Sequence, residues 1–568
     1  MKKIKKYLTL ILLLFLLVLF SINSAAYFKT DHPRSSLLKI RDAERALREA
    51  ESAHKNIEEE FRLVDRENIA ETMKKLETRY EEMTNAYQLI DDELTVTRAD
   101  EVIEISKKVK LMTLETKPVQ FRAFWLDSRT LSQTKDRKDI AEFLDRVKES
   151  NFNAIIPEVF FKGLSIIPDN NYFKQDPRFK SWKEDPLQVL IEEAHKRGIE
   201  VHAWVWVFNE NTHGEKGRLL KENPDWANKD KDGNIVTYHN SSWLSPSRPD
   251  VRRYLQKRYQ YLAENYNLDG INLDYIRFPE EYRGSFGFDE YTIKLFSEKT
   301  GFDRVDIENN NEAQNEWNKF REELITEMVK ETSAILRKEN PDILISADVI
   351  PGINEARYRA MQNWKLWLDE EYLDFVLPMT YTTNLFSELQ NWVKNDRSAL
   401  DKPIYPGISV FKLSQQQLLS QIVEIDKINP NGLSLFAAAH LTEQDFKVLK
   451  DGYFKGEAVL AHQDKEKAVN LIKEMIYERI EFIQSSGEID SHTASVINDY
   501  LEDFDKKYSL SLIENYLKEN NQQARNIEFI IKDDFNNYLQ KRGFLISDKV
   551  LEILIADLVY LYDLFNLY

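Results

Sequence analysis

Between Phe121 and Phe454 the chain alternates short apolar runs with longer stretches in which apolar residues recur every three to four positions. Short apolar runs predict strands, and the longer spacing predicts amphipathic helices, for example over 138–150, 186–197 and 312–339. The predicted strands are Phe121 to Leu126, Ala154 to Phe160, Glu200 to Phe208, Gly270 to Tyr275, Leu344 to Val349, Asp374 to Met379, Pro403 to Ile408 and Gly432 to Phe436.

Strands that alternate with helices in this way favour a mostly parallel α/β sheet. Eight of them fit a closed (β/α)8 barrel of the TIM type. An open doubly wound sheet is the alternative, but no Gly-x-Gly-x-x-Gly phosphate loop follows the first strand. We therefore predict a TIM barrel over residues 114–456, with an N-terminal helical hairpin and a C-terminal all-α region.

The first residues have the pattern of an export signal. Four lysines within the first six residues precede an apolar run over 7–20, and residues 24–26 are small, as signal peptidase requires. The run is short for a spanning helix, which needs about 20 apolar residues, yet an uncleaved anchor stays open as an alternative. Residues 1–26 are thus predicted to be a signal peptide or an N-terminal membrane anchor, with Tyr27 onward outside the cytoplasm.

Two sets of apolar residues with helical spacing follow within 27–113. They cover 43–61 and 69–90 and have the three-and-four spacing of coiled-coil helices. The phase breaks near 65–68, which predicts a helical hairpin; a continuous stalk with a stutter is the alternative, because no Gly or Pro marks the turn. We expect the hairpin to pack on its own barrel, although a spacer or a partner-binding helix pair has the same pattern.

After Tyr453 the sequence is charged and favours helices, which predicts a helical C-terminal domain over 457–568. The predicted helices there are 464–485, 493–507, 511–519, 525–540 and 549–568. Tryptophan occurs only from Trp125 to Trp392, inside the predicted barrel. Indoles stack well on sugar faces, whereas helical spacers have little use for them, so we expect the barrel to bind the ligand and about half of the indoles to be core.

Composition excludes several classes of function. A formal net charge of −18 over 568 residues, without a basic patch, argues against nucleic-acid binding. The chain has no cysteine and therefore no disulfide, thiolate metal ligand or cysteine nucleophile. Residues 228–233 resemble the start of a calcium loop, but its twelfth position is His239 instead of a glutamate, so a hairpin turn is expected. We predict no metal and no cofactor.

The run from Asp269 to Pro279 is the most informative part of the chain. It places two carboxylates, an arginine and aromatic residues in one strand and its exit. Because alternate side chains of a strand face the same way, Asn272 and Asp274 should lie opposite to Ile271, Leu273 and Tyr275. In a TIM barrel, polar residues at the carboxyl ends of strands line the active site.

Three segments together resemble the glycosyl hydrolase-like 10 family: Trp125-Leu126, the Leu-Ser-Pro-Ser-Arg-Pro run at 244–249, and 269–279. Members of that family are extracytoplasmic TIM-barrel proteins, and the resemblance covers about 121–454. It implies a glycosidase-like barrel that acts on cell-wall glycan. The Asp-Gly-x-x-x-Asp spacing also resembles the fourth strand of the alpha-amylase family, where the second Asp is the nucleophile. The arginine that this family keeps two residues earlier is Asn272 here.

Glycosidic cleavage ordinarily needs two carboxylates, one to protonate the leaving oxygen and one to attack carbon or activate water. Asp274 is the first predicted catalytic residue. Strand alternation aims Asp348 of the fifth strand and Glu158 of the second strand at the same end of the barrel. Either could be the acid, although Pro157 could instead mark a structural bend beside Glu158.

Substrate contacts are predicted from residues at or just after strand ends. Trp206 and Tyr275 would line a glycan groove, and Arg277 would pair with Asp274 or with an anionic sugar group. Residues after the sixth and eighth strands could bond sugar hydroxyls or fix their loops. His202 lies too early in its strand and is expected to be a core histidine. The predicted substrate-binding residues are Trp206, Asn209, Asn272, Tyr275, Arg277, Tyr381 and His440.

The sequence thus predicts an exported glycoside hydrolase that acts on a bacterial polysaccharide, most directly cell-wall glycan strands. A non-catalytic glycan-binding envelope protein that recruits partners through its helical flanks is the alternative. A third hypothesis is a mainly structural envelope protein with a vestigial barrel. The predicted location is extracytoplasmic, either secreted or anchored to the outer face of the cytoplasmic membrane.

Overall fold

The chain folds as two units, Met1–Leu114 and Glu115–Tyr568, in a computed structural model. The structure describes residues 34–237, 240–281, 285–383, 402–428, 431–507 and 527–567. The predicted export signal and the helix predicted at 511–519 lie outside these ranges. Within them, no helix combines the length and the apolar character that crossing a membrane requires.

The first unit is helical, with α1 (Arg34–Glu59), α2 (Arg66–Gln88) and α3 (Asp92–Met112). Both predicted helices are present, and each packs against α3 rather than mainly against the other. The apolar pattern does not predict α3, because its buried positions include Thr95 and Ser106. These polar residues weaken the helical stripe of apolar side chains that sequence reasoning relies on.

The described part of the second unit contains eight parallel strands. They are β1 (Phe121–Leu126), β2 (Ala154–Phe161), β3 (Glu200–Trp206), β4 (Gly270–Asp274), β5 (Leu344–Val349), β6 (Phe375–Pro378), β7 (Gly407–Ser409) and β8 (Gly432–Phe436). The strands pair in chain order from β1 to β6, and β8 pairs with both β1 and β7. Bridges from Val376 to Ile404 and from Met379 to Gly407 join β6 to the β7 segment. This ring confirms the predicted TIM barrel.

All eight strands lie where the apolar runs predict them, and β7 differs most in its bounds. The predicted strand from 403 to 408 contains Pro403 and Pro406, neither of which can donate a ladder hydrogen bond. The regular strand therefore begins only at Gly407.

Helices surround the barrel and follow it. They are α4 (Ser128–Leu131), α5 (Arg137–Glu149), α6 (Pro186–His195), α7 (Gly217–Glu222), α8 (Pro249–Asn265), α9 (Glu290–Thr300), α10 (Arg304–Asn309), α11 (Asn311–Glu339), α12 (Ile353–Ala360), α13 (Trp364–Asp369), α14 (Gln415–Asp426), α15 (Glu443–Asp451), α16 (Lys465–Ser485), α17 (Ser491–Glu502), α18 (Phe504–Lys507), α19 (Ile527–Gln540) and α20 (Asp548–Leu567). Antiparallel segments at 209–211, 236–237 and 241–243 form a small sheet after β3.

Charged residues at the amino ends of the strands, which form the base of the barrel, are buried and bonded. Arg122 donates to the carbonyl oxygens of Lys117 and Gly456, at 2.9 and 2.6 Å. Glu200 accepts hydrogen bonds from His462 and, as the sequence predicts for a core histidine, from His202, at 2.7 and 3.0 Å. These contacts tie the start of the C-terminal region to the barrel.

The C-terminal helices also contribute a buried charge cluster. The guanidinium of Arg479 in α16 lies 2.5 Å from Asp557 in α20 and 2.5 Å from Glu115, which leads into β1. The nearby hydroxyl of Tyr560 donates to the carbonyl of Val119. The last helices are therefore part of the support under the first strand.

Replacing Arg479 by Met should destabilise the fold by about 3–5 kcal/mol, because Asp557 and Glu115 would keep buried negative charges without their cation. Urea unfolding of the purified protein, followed by circular dichroism, measures this change. The control is Arg542→Met, because Arg542 is exposed and lies over the Tyr538 ring, 3.6 Å from its centroid. Equal unfolding midpoints for the two variants would refute a supporting role for the cluster.

Candidate active site

Asp274 is the last residue of β4 and points into the mouth of the barrel, which is formed by the carboxyl ends of the strands. Trp204 donates its indole N–H to Asp274 Oδ2 at 2.9 Å, and the backbone N–H of Tyr275 donates to Oδ1 at 2.6 Å. Neighbouring β3 places Trp206 beside Asp274 in register. Both carboxylate oxygens are thus held by donors from rigid strands or their exits.

Asp348 on β5 lies close to Asp274, and a second indole holds it. Trp125 on β1 donates to Asp348 Oδ2 at 3.2 Å, and the side-chain amide of Asn272 donates to Oδ1 at 3.1 Å. The same amide lies 3.1 Å from Ser346 Oγ. Asn272 therefore orients the second carboxylate from inside the barrel.

Burial dominates the electrostatics of this pair. It raises the pKa of Asp274 to about 6, with the cation of Arg277 acting in the opposite direction. Burial also raises the pKa of Asp348 well above its usual range, and the neighbouring Asp274 charge raises it further. Two close carboxylates cannot both ionise readily, so the pair titrates as a unit in which Asp348 keeps its proton longer.

Glu158 on β2 is buried, and the loop after β1 holds it. The backbone N–H of Ser128, at the start of α4, donates to Glu158 Oε2 at 2.9 Å. Burial raises the pKa of this carboxyl, while the bond to Ser128 lowers it. Glu158 thus lies near the mouth, and its Oε2 accepts a hydrogen bond that holds the loop after β1 in place.

Tyr275 leaves the apolar face on which strand alternation would place it. Its backbone has φ 53°, in the left-handed region that a non-glycine residue adopts at a cost of about 1–2 kcal/mol. This turn brings its ring to 4.8 Å from the centroid of Trp206 and 5.5 Å from that of Trp243. The guanidinium of Arg277 lies 5.3 Å from the Trp243 and Tyr275 centroids. The predicted orientation of Tyr275, on the same face as Ile271 and Leu273, was wrong because nothing in the sequence signals the positive φ of Tyr275.

Another group of aromatic residues lies on the β6 to β8 side of the mouth. Phe436 contacts both carboxylate-holding indoles, with centroids 5.7 Å from Trp125 and 6.1 Å from Trp204. Tyr381 lies 5.2 Å from Phe436 and is close enough to Asp348 that this charge, after burial, raises its pKa. Tyr381 is therefore near the carboxylate pair.

The exposed His440, after β8, lies near the exposed Phe411, with their tilted rings 5.4 Å apart between centroids. Phe411 in turn lies 6.2 Å from Phe436, so aromatic contacts run from the carboxylate pair to the surface. The distances do not bring His440 to either carboxylate. Its predicted role as a sugar-binding residue is untested.

Asn209 is the remaining predicted residue, and it lies in the small sheet opposite Trp243. Sequence reasoning did not single out Trp243, Lys162 or Phe411. Trp243 directly precedes the Leu-Ser-Pro-Ser-Arg-Pro run, which was a usable signal. Lys162 is an ordinary loop residue in the sequence, and only its position over the Trp206 ring, 5.7 Å from the centroid, draws attention to it.

Within the described ranges, no three His, Asp or Glu side chains are grouped so as to hold a metal ion. The calcium-like segment forms a turn closed by Asp230, whose Oδ1 accepts the backbone N–H groups of Asp232 and Asn234 at 3.0 and 2.8 Å. The carboxylate of Asp230 is thus used by its own loop.

Comparison with known proteins identifies a matching family and several distant relatives. A family profile described as Glycosyl hydrolase-like 10 matches residues 120–418. The Bacillus subtilis protein named Glycosyl hydrolase YngK is 22% identical over 320 residues, which are 51% of this chain and 59% of YngK. A Niallia circulans S-layer-related protein is 22% identical over 383 residues, 56% of this chain and 23% of that protein. The chain thus spans only part of each relative.

Among solved structures, the PgaB (BpsB) glycoside hydrolase domain from Bordetella bronchiseptica aligns with a TM-score of 0.46 and 13% identity. The alignment covers 59% of this chain and 100% of that domain.

Asp274→Asn should lose the pH dependence that Asp274 gives to the stability of the fold, since a neutral amide has no proton to release. The pKa of Asp274 is raised in the folded state to about 6. The folded protein therefore binds more protons than the unfolded chain between about pH 4 and pH 6, and wild-type stability falls as pH rises through that window. Urea unfolding should show that the stability of the variant relative to the wild type increases from pH 4 to pH 7. A difference that is the same at both pH values would mean that the pKa of Asp274 is not raised.

Proposed function

The chain belongs to the glycosyl hydrolase-like 10 family, and from this membership we propose that it hydrolyses O-glycosidic bonds in a bacterial polysaccharide. The observation that carries the proposal is the pair of buried carboxylates, Asp274 and Asp348, at the barrel mouth. Their raised pKa values support one ionised and one protonated group near neutral pH, which is the combination that glycoside hydrolysis requires.

In this proposal Asp348 is the general acid. It gives its proton to the glycosidic oxygen as the bond from that oxygen to the anomeric carbon breaks. Asp274, ionised above about pH 6, either attacks the anomeric carbon or removes a proton from the attacking water. Indole and amide donors on the opposite oxygens fix both groups, so little reorganisation is needed during the reaction.

Glu158 is the competing acid in the sequence, and its contacts support a different role. Its hydrogen bond from Ser128 N–H ties the loop after β1 to β2. Asp348, by contrast, lies beside Asp274 and responds to its charge. We therefore assign the acid to Asp348 and loop positioning to Glu158.

We propose peptide-free cell-wall glycan as the substrate. The resemblance stated above and the predicted export signal support it, as does the similarity to a protein named S-layer-related, which suggests a cell-envelope setting. An extracytoplasmic location, attachment through the N-terminus and envelope partners bound by the helical flanks belong to the same proposal. A glycan-binding protein without catalysis is the alternative outcome.

Incubation of the purified protein with peptide-free wall glycan tests the activity. We expect new reducing ends, identified by mass spectrometry, and at least a thousandfold loss with Asp274→Asn. The matched control is Asp289→Asn, because Asp289 is also a buried carboxyl but caps α9 through Thr292. It should keep most of the activity. A folded wild-type protein that binds the glycan without cleaving it would establish the non-catalytic alternative.

The pH dependence of cleavage gives a second check. Rate should increase as pH rises through about 6, where Asp274 ionises, and decrease again at higher pH as Asp348 loses its proton. A rate that is flat from pH 4 to pH 9 would exclude this pair as acid and base.

Leaving-group chemistry separates the two acid candidates. The dinitrophenolate group of a dinitrophenyl glycoside leaves without protonation, so a variant that lacks only the acid should cleave this substrate while failing on wall glycan. Asp348→Asn should show this split by at least a hundredfold, and Glu158→Gln should affect both substrates by similar, smaller factors. The reverse pattern would make Glu158 the acid.

A further inference from the structure

The side of the mouth formed by the ends of β2, β3 and β4 and by the small sheet carries several buried polar groups without a protein partner. In the described part of the chain, the indole N–H groups of Trp206 and Trp243 and Nε of Arg277 lack an acceptor. The side-chain amide of Asn209 is also unbonded at both of its polar atoms. A buried donor without an acceptor costs about 1–3 kcal/mol, so this arrangement is unfavourable unless a ligand supplies acceptors.

Two cations accompany these donors. Arg277 is almost fully buried above Trp243 and Tyr275, and Lys162 Nζ lies over the Trp206 ring. Neither forms an ion pair with a carboxylate of the described residues. Lys162 Nζ is 3.1 Å from His213 Nδ1, a nitrogen rather than an anion. Glu158, the carboxyl whose charge acts most strongly on Lys162, is already bonded to Ser128.

The aromatic contacts make these groups one continuous surface. Tyr275 touches Trp206 and Trp243, Arg277 covers Tyr275 and Trp243, and Lys162 covers Trp206. We name this surface the donor wall; its residues are Lys162, Trp206, Asn209, Trp243, Tyr275 and Arg277. It begins one residue after Asp274, so its ligand must be part of the molecule bound at the carboxylate pair.

We propose that the donor wall binds a carboxylate carried by a sugar ring of the glycan, next to the bond that is cleaved. This inference rests on the proposed function and adds the charge of the substrate. A carboxylate supplies up to four acceptor sites and the negative charge that two cations need at a poorly solvated surface. A sugar hydroxyl could donate to Asn209 Oδ1, but neither hydroxyls nor a single N-acyl carbonyl carry the negative charge that would pair with Lys162 and Arg277.

Equilibrium binding to the Asp274→Asn protein tests the inference with the glycan left intact. Three oligosaccharides of equal length serve as probes: peptide-free wall glycan, with a lactyl carboxylate, hyaluronan fragments, with a ring carboxylate, and neutral chitin oligomers. We expect at least one acidic probe to bind ten times more tightly than the chitin oligomer. The two acidic arms show which carboxylate position the wall accepts.

The charge of Lys162 is then tested directly. Lys162→Met should reduce the ratio of acidic-probe affinity to chitin affinity at least fivefold. Lys412→Met is the matched control, because Lys412 Nζ also lies over an aromatic ring, 5.3 Å from the centroid of Phe411, on the β7 side of the mouth. It should keep the preference.

Equal affinity for acidic and neutral probes, binding to none of them, or an equal effect of the two lysine variants would overturn the donor wall as a carboxylate site. Cleavage assays with the wild-type protein distinguish a failure of the carboxylate inference from a failure of the proposed function. Equal cleavage of neutral and acidic glycans leaves the hydrolase standing and removes the carboxylate inference. Tight binding of the acidic probes without cleavage keeps the carboxylate inference and removes the hydrolase.

Discussion

The burial of two carboxylates side by side is the constraint on which the rest of the site depends. In water, Asp274 and Asp348 would both be ionised at pH 7; in the barrel, burial raises the pKa values of both, and the charge of Asp274 raises that of Asp348 further. Arg277 favours the ionised form of Asp274, whereas the Asp274 charge disfavours ionisation of Asp348. Two residues of the same type thereby acquire different protonation states, which is what the proposed acid and base roles require.

The indoles that hold this pair are also core residues. Trp125 and Trp204 reach the carboxylates from β1 and β3, and both pack against Phe436 of β8. A rotation of either ring would therefore disturb barrel packing as well as a carboxylate hydrogen bond. This coupling keeps the geometry of the carboxylate pair rigid, because any displacement costs packing energy in a closely packed interior. It also explains why aromatic residues so strongly populate the inside of this barrel.

Sequence reasoning could find the barrel because strand and helix periods differ and all eight strands are apolar. The period of two also placed Asp274 and Asp348 at the same end, since it depends on local geometry alone. The same period gave the wrong face for the Tyr275 side chain, because the left-handed backbone of this residue turns it away from the face of Ile271 and Leu273. It could not find the donor wall, because Lys162 and Trp243 come from segments about 80 residues apart and their missing partners are a property of three-dimensional packing.

The buried polar groups at the two ends of the barrel differ in how they are grouped. At the base, the charged groups of Arg122, Glu200 and Arg479 are bonded to carbonyls, histidines or carboxylates. At the mouth, described donors such as those of Trp206 and Trp243 have no partner. In the part of the chain that the structure describes, unbonded polar atoms also occur at the base, for example His202 Nδ1 and the side-chain amide of Asn431 just before β8. At the mouth, however, four described residues with unbonded atoms share one aromatic surface beside the carboxylate pair. One ligand could satisfy these atoms together, and since each orphan costs about 1–3 kcal/mol, this grouping supports the proposal that the substrate binds there.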